Sequence, residues 1–166
     1  MKSETVFHTI APVWNENSKI LILGSIPSPK SRDTGFYYGH PRNRFWSVTA
    51  AGLLGEPVPQ SNDEKREMLL SHGIALWDVV GKCDIVGASD NSIKNVVYND
   101  VAKLTSASRI KAVFLTGNTA YSLYKKGLAE KVGLPYFGLP STSPANAAMK
   151  EETLFEKYKI ILEYIR

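Results

Sequence analysis

Cysteine is nearly absent from this chain, and so are long apolar runs. Its 166 residues contain one cysteine, Cys83. That excludes a disulfide framework, a cysteine zinc site and a cysteine-ligated iron–sulfur cluster, and it fits a reducing, cytoplasmic compartment. No apolar stretch approaches the ~18 residues that span a bilayer, so no membrane partner is expected. The opening residues, Met1 to His8, lack the apolar core of a signal peptide. The three histidines, His8, His40 and His72, have no metal-ligand spacing. Neither Gly-x-Gly-x-x-Gly nor a Walker loop is present. Ser25 and Ser143 lack an evident His/Asp partner, which argues against a hydrolase triad. Repeats, low-complexity tracts and linkers are missing as well.

What remains is an ordinary globular composition, 43% hydrophobic and 22% charged. At this length one domain covering 1–166 is expected, with enough chain for a real core. The net charge of +4 is a mild bias toward polyanions. Its distribution says more. Lys30, Arg32, Arg42 and Arg44 face only Asp33 between positions 30 and 44, which reads either as a polyanion contact or as a solvated loop.

Four short apolar runs, 19–24, 74–80, 110–117 and 134–139, have the continuous character of strands buried on both faces. Pro135 suits the start of a strand or an edge in the last of these. Between and after them, 44–54, 62–71, 93–107, 118–127 and 150–166 carry apolar residues near helical spacing. Asn62 to Glu64 and Asn118 are positioned as caps, and Gly73 as a stop. Strands alternating with helices predict an α/β fold, a three-layer α/β/α sandwich around a parallel sheet.

Two segments stand out. One is Gly24-Ser25-Ile26-Pro27-Ser28, running on to Tyr37-Tyr38-Gly39-His40-Pro41-Arg42-Asn43-Arg44-Phe45-Trp46. The other is Leu139-Pro140-Ser141-Thr142-Ser143-Pro144-Ala145-Asn146. Each follows a predicted strand and is rich in turn-forming residues that leave backbone N–H groups free. In an open α/β sheet, ligands bind outside the carboxyl ends of strands. Both segments lie at such ends, as do Trp77-Asp78 and Gly117-Asn118. Aromatics, a carboxamide and cations together suit a pocket that stacks a base and holds phosphates.

Taken in order and spacing, these segments resemble the uracil-DNA glycosylase superfamily, and within it the hypoxanthine-DNA glycosylase branch. The likeness runs from about position 19 to 147 and includes Leu76-Trp77-Asp78-Val79-Val80 and Gly87-Ala88-Ser89-Asp90. The resemblance implies a central four-stranded parallel sheet of order 2-1-3-4. It also implies a nucleotide flipped into a pocket at the carboxyl ends, and hydrolysis of the N-glycosidic bond by water without cofactor, metal or covalent intermediate. The expected partner is DNA containing deaminated bases, handled by a monomer in the cytoplasm, associated with the nucleoid in a prokaryote.

Carried over position by position, the resemblance makes Asn43 the catalytic residue, orienting water or bonding the flipped base; the other reading is a helix cap. Tyr38 matches the aromatic that stacks on the base. Gly24, Ser25 and Ile26 line the pocket through backbone groups, and Ser141 faces the leaving base where relatives place His or Asn. Ser28, Ser143, Arg42 and Arg44 are expected on DNA phosphates. The alternatives are local turn bonds for the serines and solvation for the arginines. Ala145 falls where relatives carry a wedge residue, and is short. Ile26 occupies the place of a water-positioning Asp or Asn in better-known branches. His40 is expected to support the loop, and Asn118 to cap a helix or read a base edge. Asp78 is expected to support the pocket. Three other readings stand beside this one: a non-catalytic binder of damaged DNA, a mismatch-specific uracil/thymine glycosylase, and a hydrolase of free nucleosides.

Overall fold

The computed structural model describes residues 2–166. A parallel sheet is built from β2 (Ile20–Gly24), β3 (Ile74–Asp78), β6 (Ala112–Thr116) and β7 (Tyr136–Leu139), in the order β3-β2-β6-β7. Counted along the chain among these four, the order is the expected 2-1-3-4. A second, antiparallel sheet joins β1 (Glu4–Phe7), β4 (Val80–Val86) and β5 (Ser89–Tyr98), in the order β1-β4-β5.

The parallel strands form because their residues have apolar partners on both faces. Ile20, Leu21, Ile22 and Leu23 are all fully buried. Ile20 and Ile22 point into one core, with Leu76, Phe114 and Tyr158. Leu21 and Leu23 point into the other, with Val113, Leu115 and Tyr124. Helix α2 (Asn62–Ser71), a π-helical segment (Ser47–Leu54) and α6 (Glu151–Tyr158) cover the first face through Leu69, Val48 and Leu154. Helices α3 (Val101–Ser106), α4 (Asn118–Gly127) and α5 (Ala129–Val132), with the small sheet, cover the second through Leu104, Ala120, Val132 and Cys83. The result is a three-layer α/β/α sandwich with an added antiparallel sheet. Among the described residues, no helix is long and apolar enough to cross a membrane.

Three expectations are corrected. The stretch 93–107 is not one helix: it divides into β5 and α3, because Ile93, Val96 and Tyr98 pack into the second core from the hairpin, and Asp100 caps α3 by accepting the Lys103 N–H at 3.2 Å. The run 74–80 stops at Asp78, where the chain turns; the Val79 and Val80 N–H groups donate to the carbonyls of Gly24 and Ser25 at 2.8 and 3.0 Å. Asn118 does not cap α4. Gly117, with φ of 95°, occupies that place and leaves Asn118 exposed in the first turn. By contrast, α2 begins and ends near its expected limits, although Ser61 is the residue whose side chain caps it.

Candidate active site

The carboxyl ends of the parallel strands open into a cleft of about 1030 Å³, at the upper end of the size of small-molecule pockets. The strand register explains the convergence. Gly24 pairs with Asp78, Leu23 with Leu115, and Thr116 with Leu139, so all four ends sit at one level. Glycine is required at position 24 by close approach: a Cβ there would lie 2.7 Å from Asp78 Oδ1 and 3.6 Å from the Tyr38 hydroxyl.

The first loop leaves β2 through Ser25, buried, whose hydroxyl donates to Asp90 Oδ2 at 2.9 Å. Ile26 lines the cleft and packs its side chain on the second core. Ser28 caps α1 (Pro29–Thr34), accepting the Ser31 N–H at 3.2 Å and donating to the Ser31 hydroxyl at the same distance. Its hydroxyl therefore makes the local turn bonds rather than the phosphate contact expected of it, although the residue still lines the cleft.

Beyond α1 the chain passes over a bed of buried aromatics, Phe36, Tyr37, Phe45 and Trp46. Tyr38 departs from them. Its φ of 53° places a bulky residue in the left-handed region, a conformation that costs of order 1–3 kcal/mol and persists only when its surroundings impose it. Here its ring stacks on Phe45 at 3.9 Å, nearly parallel, and its hydroxyl meets Thr116 Oγ1 at 3.1 Å. One face of the ring rests on Phe45, and the residue lines the cleft.

The following turn is closed by His40, which accepts the Asn43 N–H at its carbonyl (2.9 Å) and the Arg42 N–H at Nδ1 (3.0 Å). This is the supporting role expected of it. Asn43 Oδ1 accepts the Phe45 N–H at 2.9 Å. A backbone N–H demands an oxygen acceptor, so the carboxamide is fixed with Nδ2 as its other end. Among the described residues Nδ2 has no partner, and Asn43 lines the cleft. Arg42 is exposed on the turn, outside the cleft wall.

The second loop follows β7. Tyr158, fully buried, donates its hydroxyl to the Pro140 carbonyl at 2.6 Å. Ser141 Oγ accepts the Ser143 N–H and Ser143 Oγ accepts the Ala145 N–H, each at 3.1 Å. Both hydroxyl protons therefore stay available to a ligand. Ala145 is exposed at the rim, in a single 3-10 turn (Pro144–Asn146). Arg44 corrects an expectation. Its guanidinium is turned inward and donates to the carbonyls of Met149, Asn146 (3.0 Å) and Ser143 (3.3 Å), while its N–H donates to Thr142 O at 3.1 Å. It ties the two loops together and is not laid out for phosphate.

Two carboxylates that the sequence did not place at the centre lie in the cleft. Asp78, 4% exposed, has its pKa raised by burial; hydrogen bonding and charge from His8 oppose that shift. His8 Nε2 lies 2.8 Å from Asp78 Oδ2. Asp90, at the hairpin between β4 and β5, is raised by desolvation and opposed by the Ser25 hydroxyl. Lys30 and Arg32 supply positive charge on the same wall. Two buried polar atoms there, Arg32 Nε and Thr142 Oγ1, have no partner among the described residues.

Thus nine of the expected residues, Gly24, Ser25, Ile26, Ser28, Tyr38, Asn43, Ser141, Ser143 and Ala145, line one cleft, and Arg42 and Arg44 do not. Known proteins resemble this chain in sequence and in fold. A hypoxanthine DNA glycosylase from Methanosarcina barkeri is 38% identical over 108 residues, 64% of this chain and 68% of that one. Another from Methanosarcina acetivorans is 33% identical over 138 residues, 81% of this chain and 84% of that one. A solution NMR structure of a uracil DNA glycosylase candidate from Methanosarcina acetivorans superposes with a TM-score of 0.79 at 28% identity, covering 95% of this chain and 99% of that chain. The profile of the uracil DNA glycosylase superfamily matches residues 11–164, so the loops that meet in the cleft and the sheet that carries them have one origin: the chain belongs to the uracil DNA glycosylase superfamily.

Proposed function

We propose that this chain is a monofunctional DNA glycosylase that releases deaminated bases from DNA, with hypoxanthine as its first substrate and uracil as its second. In this reading 1–166 acts as one glycosylase domain and as a monomer. The observation that carries it is the meeting of Tyr38, the unpartnered end of Asn43 and the Ser141 hydroxyl in one cleft at the strand ends. The names of the two Methanosarcina relatives support the choice of base.

The chemistry follows from these groups. A deaminated base makes a poorer pair and is cheaper to extrude. Once flipped, it stacks on the Tyr38 ring. The Asn43 amide and the Ser141 hydroxyl donate to its carbonyl oxygen and other acceptors. As the glycosidic bond breaks, its electron pair leaves with the base and the sugar acquires oxocarbenium character. Donors already in place for that negative charge lower the barrier most. Water then adds its oxygen to C1′, and its proton is taken up by the departed base. Ile26 supplies no group for holding water, which keeps one rival alive: a binder of damaged DNA that does not cut the bond. An excision panel on duplexes bearing hypoxanthine, uracil, xanthine or mismatched thymine separates the two. Abasic product is expected fastest from hypoxanthine. Tight binding without product from any duplex overturns the enzymatic reading, and faster release from free deoxyinosine than from the duplex points to a nucleoside hydrolase.

Two smaller expectations belong to this reading. Tyr38→Ala removes a stack worth about 1–3 kcal/mol per base, so excision slows by about 5–150-fold. Tyr38→Phe keeps the ring, loses only the bond to Thr116, and stays near the wild-type rate. Equal losses in both variants would assign the effect to the hydroxyl. For DNA affinity, Lys30→Ala and Arg42→Ala should each weaken binding across all sequences and reduce the salt slope by about 0.9 per contact. An unaltered slope in the double variant places the phosphates elsewhere.

A further inference from the structure

His8 precedes the residues matched by the superfamily profile, yet its side chain reaches Asp78, which lines the cleft. It arrives there by way of the small sheet. Strand β1 pairs with β4, ending at Phe7 opposite Lys82, and the His8 N–H donates to the Gly81 carbonyl at 2.8 Å. The imidazole then turns under the cleft with its side chain 2% exposed, edge-on to Trp77 and tilted against Tyr37. Its Nε2 takes one oxygen of Asp78. The other oxygen, Oδ1, lies beside Gly24, where a Cβ would approach it to 2.7 Å; a Gly24 backbone hydrogen bond also reaches the carboxylate, and Asp78 lines the cleft. A buried charge is tolerated when it is paired and hydrogen-bonded, and a carboxylate with one oxygen fixed presents the other at a defined angle.

We propose that His8 is a positioning residue of the excision site, which holds one oxygen of Asp78 and so fixes the angle at which the carboxylate meets the cleft. The inference rests on the glycosylase reading above. An ionised carboxylate accepts and does not donate. It can therefore take the ring N–H that deamination creates in hypoxanthine and uracil, or a proton of the attacking water, and both tasks need the charge that His8 maintains. The groups facing Asp78 are His8 at the end of β1, Tyr37 and Tyr38 from the first loop, and Asp90 from the hairpin, with Arg66 of α2 acting on Tyr37. Burial pushes both tyrosines above their ordinary range, so they stay protonated; Asp90 is common to every variant below.

Burial, with a smaller push from Asp90, raises the Asp78 pKa, and His8 and a Gly24 backbone hydrogen bond lower it, so removing His8 makes the carboxylate protonate at higher pH. In single-turnover excision from a hypoxanthine duplex, His8→Leu should be slower by about 10–100-fold at neutral pH, the range for losing the partner that orients a working ligand. The deficit should close as pH rises. His8→Gln, whose Nε2 can donate from nearly the same place, should recover most of the rate and the wild-type profile, whereas the shorter His8→Asn should not. A folded His8→Leu with the wild-type rate and profile overturns the proposal. So does a loss equal at all pH values and equal in His8→Gln, which marks simple packing. A carbon NMR titration of the Asp78 carboxyl in the wild type, His8→Gln and His8→Leu needs no substrate. The Asp78 midpoint should move to higher pH in His8→Leu and stay near that of the wild type in His8→Gln, and a midpoint unmoved in folded His8→Leu also overturns the proposal. Absence of excision by the wild type would instead refute the glycosylase reading, with the NMR result still deciding the pair.

Discussion

Asn43→Ala should slow single-turnover excision of hypoxanthine by about 10²–10³-fold, the cost of removing one preorganised donor from a developing negative charge. DNA binding should be largely retained, since the residue faces the cleft and not the exposed turn. The fold should suffer little. Asn43 anchors its own turn through the Phe45 N–H at 2.9 Å, and loss of one such cap costs about 1 kcal/mol. Asn43→Asp sharpens the test. A carboxylate keeps the acceptor for Phe45 but has no N–H for the departing base, and it adds negative charge beside one that is forming. If Asn43 works through Nδ2, the aspartate variant should lose nearly as much as alanine. If it works by holding water, the aspartate variant should keep a large share of the rate, above all on uracil. Wild-type excision by folded Asn43→Ala would move catalysis to Asp78 or Ser141.

The parts of this molecule that were legible in sequence are those whose physics is local. Ile20-Leu21-Ile22-Leu23 is apolar without a break because both of its faces are covered, and a run of that kind declares a parallel strand. The loops after Gly24 and Leu139 were legible because turns need Gly, Pro, Ser and Asn at the place where they occur. The small sheet was not legible. In β4 the buried Val80, Cys83 and Ile85 are interrupted by Gly81, Lys82 and Asp84, and every residue of β5 is half-buried or exposed, Lys94 among them. Val97, Val101 and Leu104 happen to fall at helical spacing across the break at Asn99-Asp100. The two carboxylate contacts were illegible for a different reason. His8 and Asp78 are 70 positions apart, and Ser25 and Asp90 are 65 apart, so only the finished fold brings them together. Arg44 was misassigned because its partners are carbonyl oxygens, which every residue has and which leave no trace in a sequence.

That reassignment makes the last expectation the reverse of what the charge pattern of 30–44 invites. If Arg44 gripped a phosphate, Arg44→Ala would weaken DNA binding and flatten its salt dependence, and Arg44→Lys would restore both, because a phosphate accepts either cation. The structure gives Arg44 three carbonyls on the second loop, at Ser143, Asn146 and Met149. Hydrogen bonds from a charged donor contribute about 1.5–3 kcal/mol each and are not additive, so a total near 3 kcal/mol is expected. Arg44→Ala should therefore lower the melting temperature by roughly 6–12 °C. It should also slow excision, because Ser141 and Ser143 lose the brace that holds their loop over the cleft, while the salt slope of DNA binding stays that of the wild type. Lysine cannot reproduce a planar fork with several donors in fixed directions, so Arg44→Lys should recover little of the stability. A melting curve and a salt titration on the two variants decide the matter. Unchanged stability with a flattened slope, rescued by lysine, would return Arg44 to the DNA.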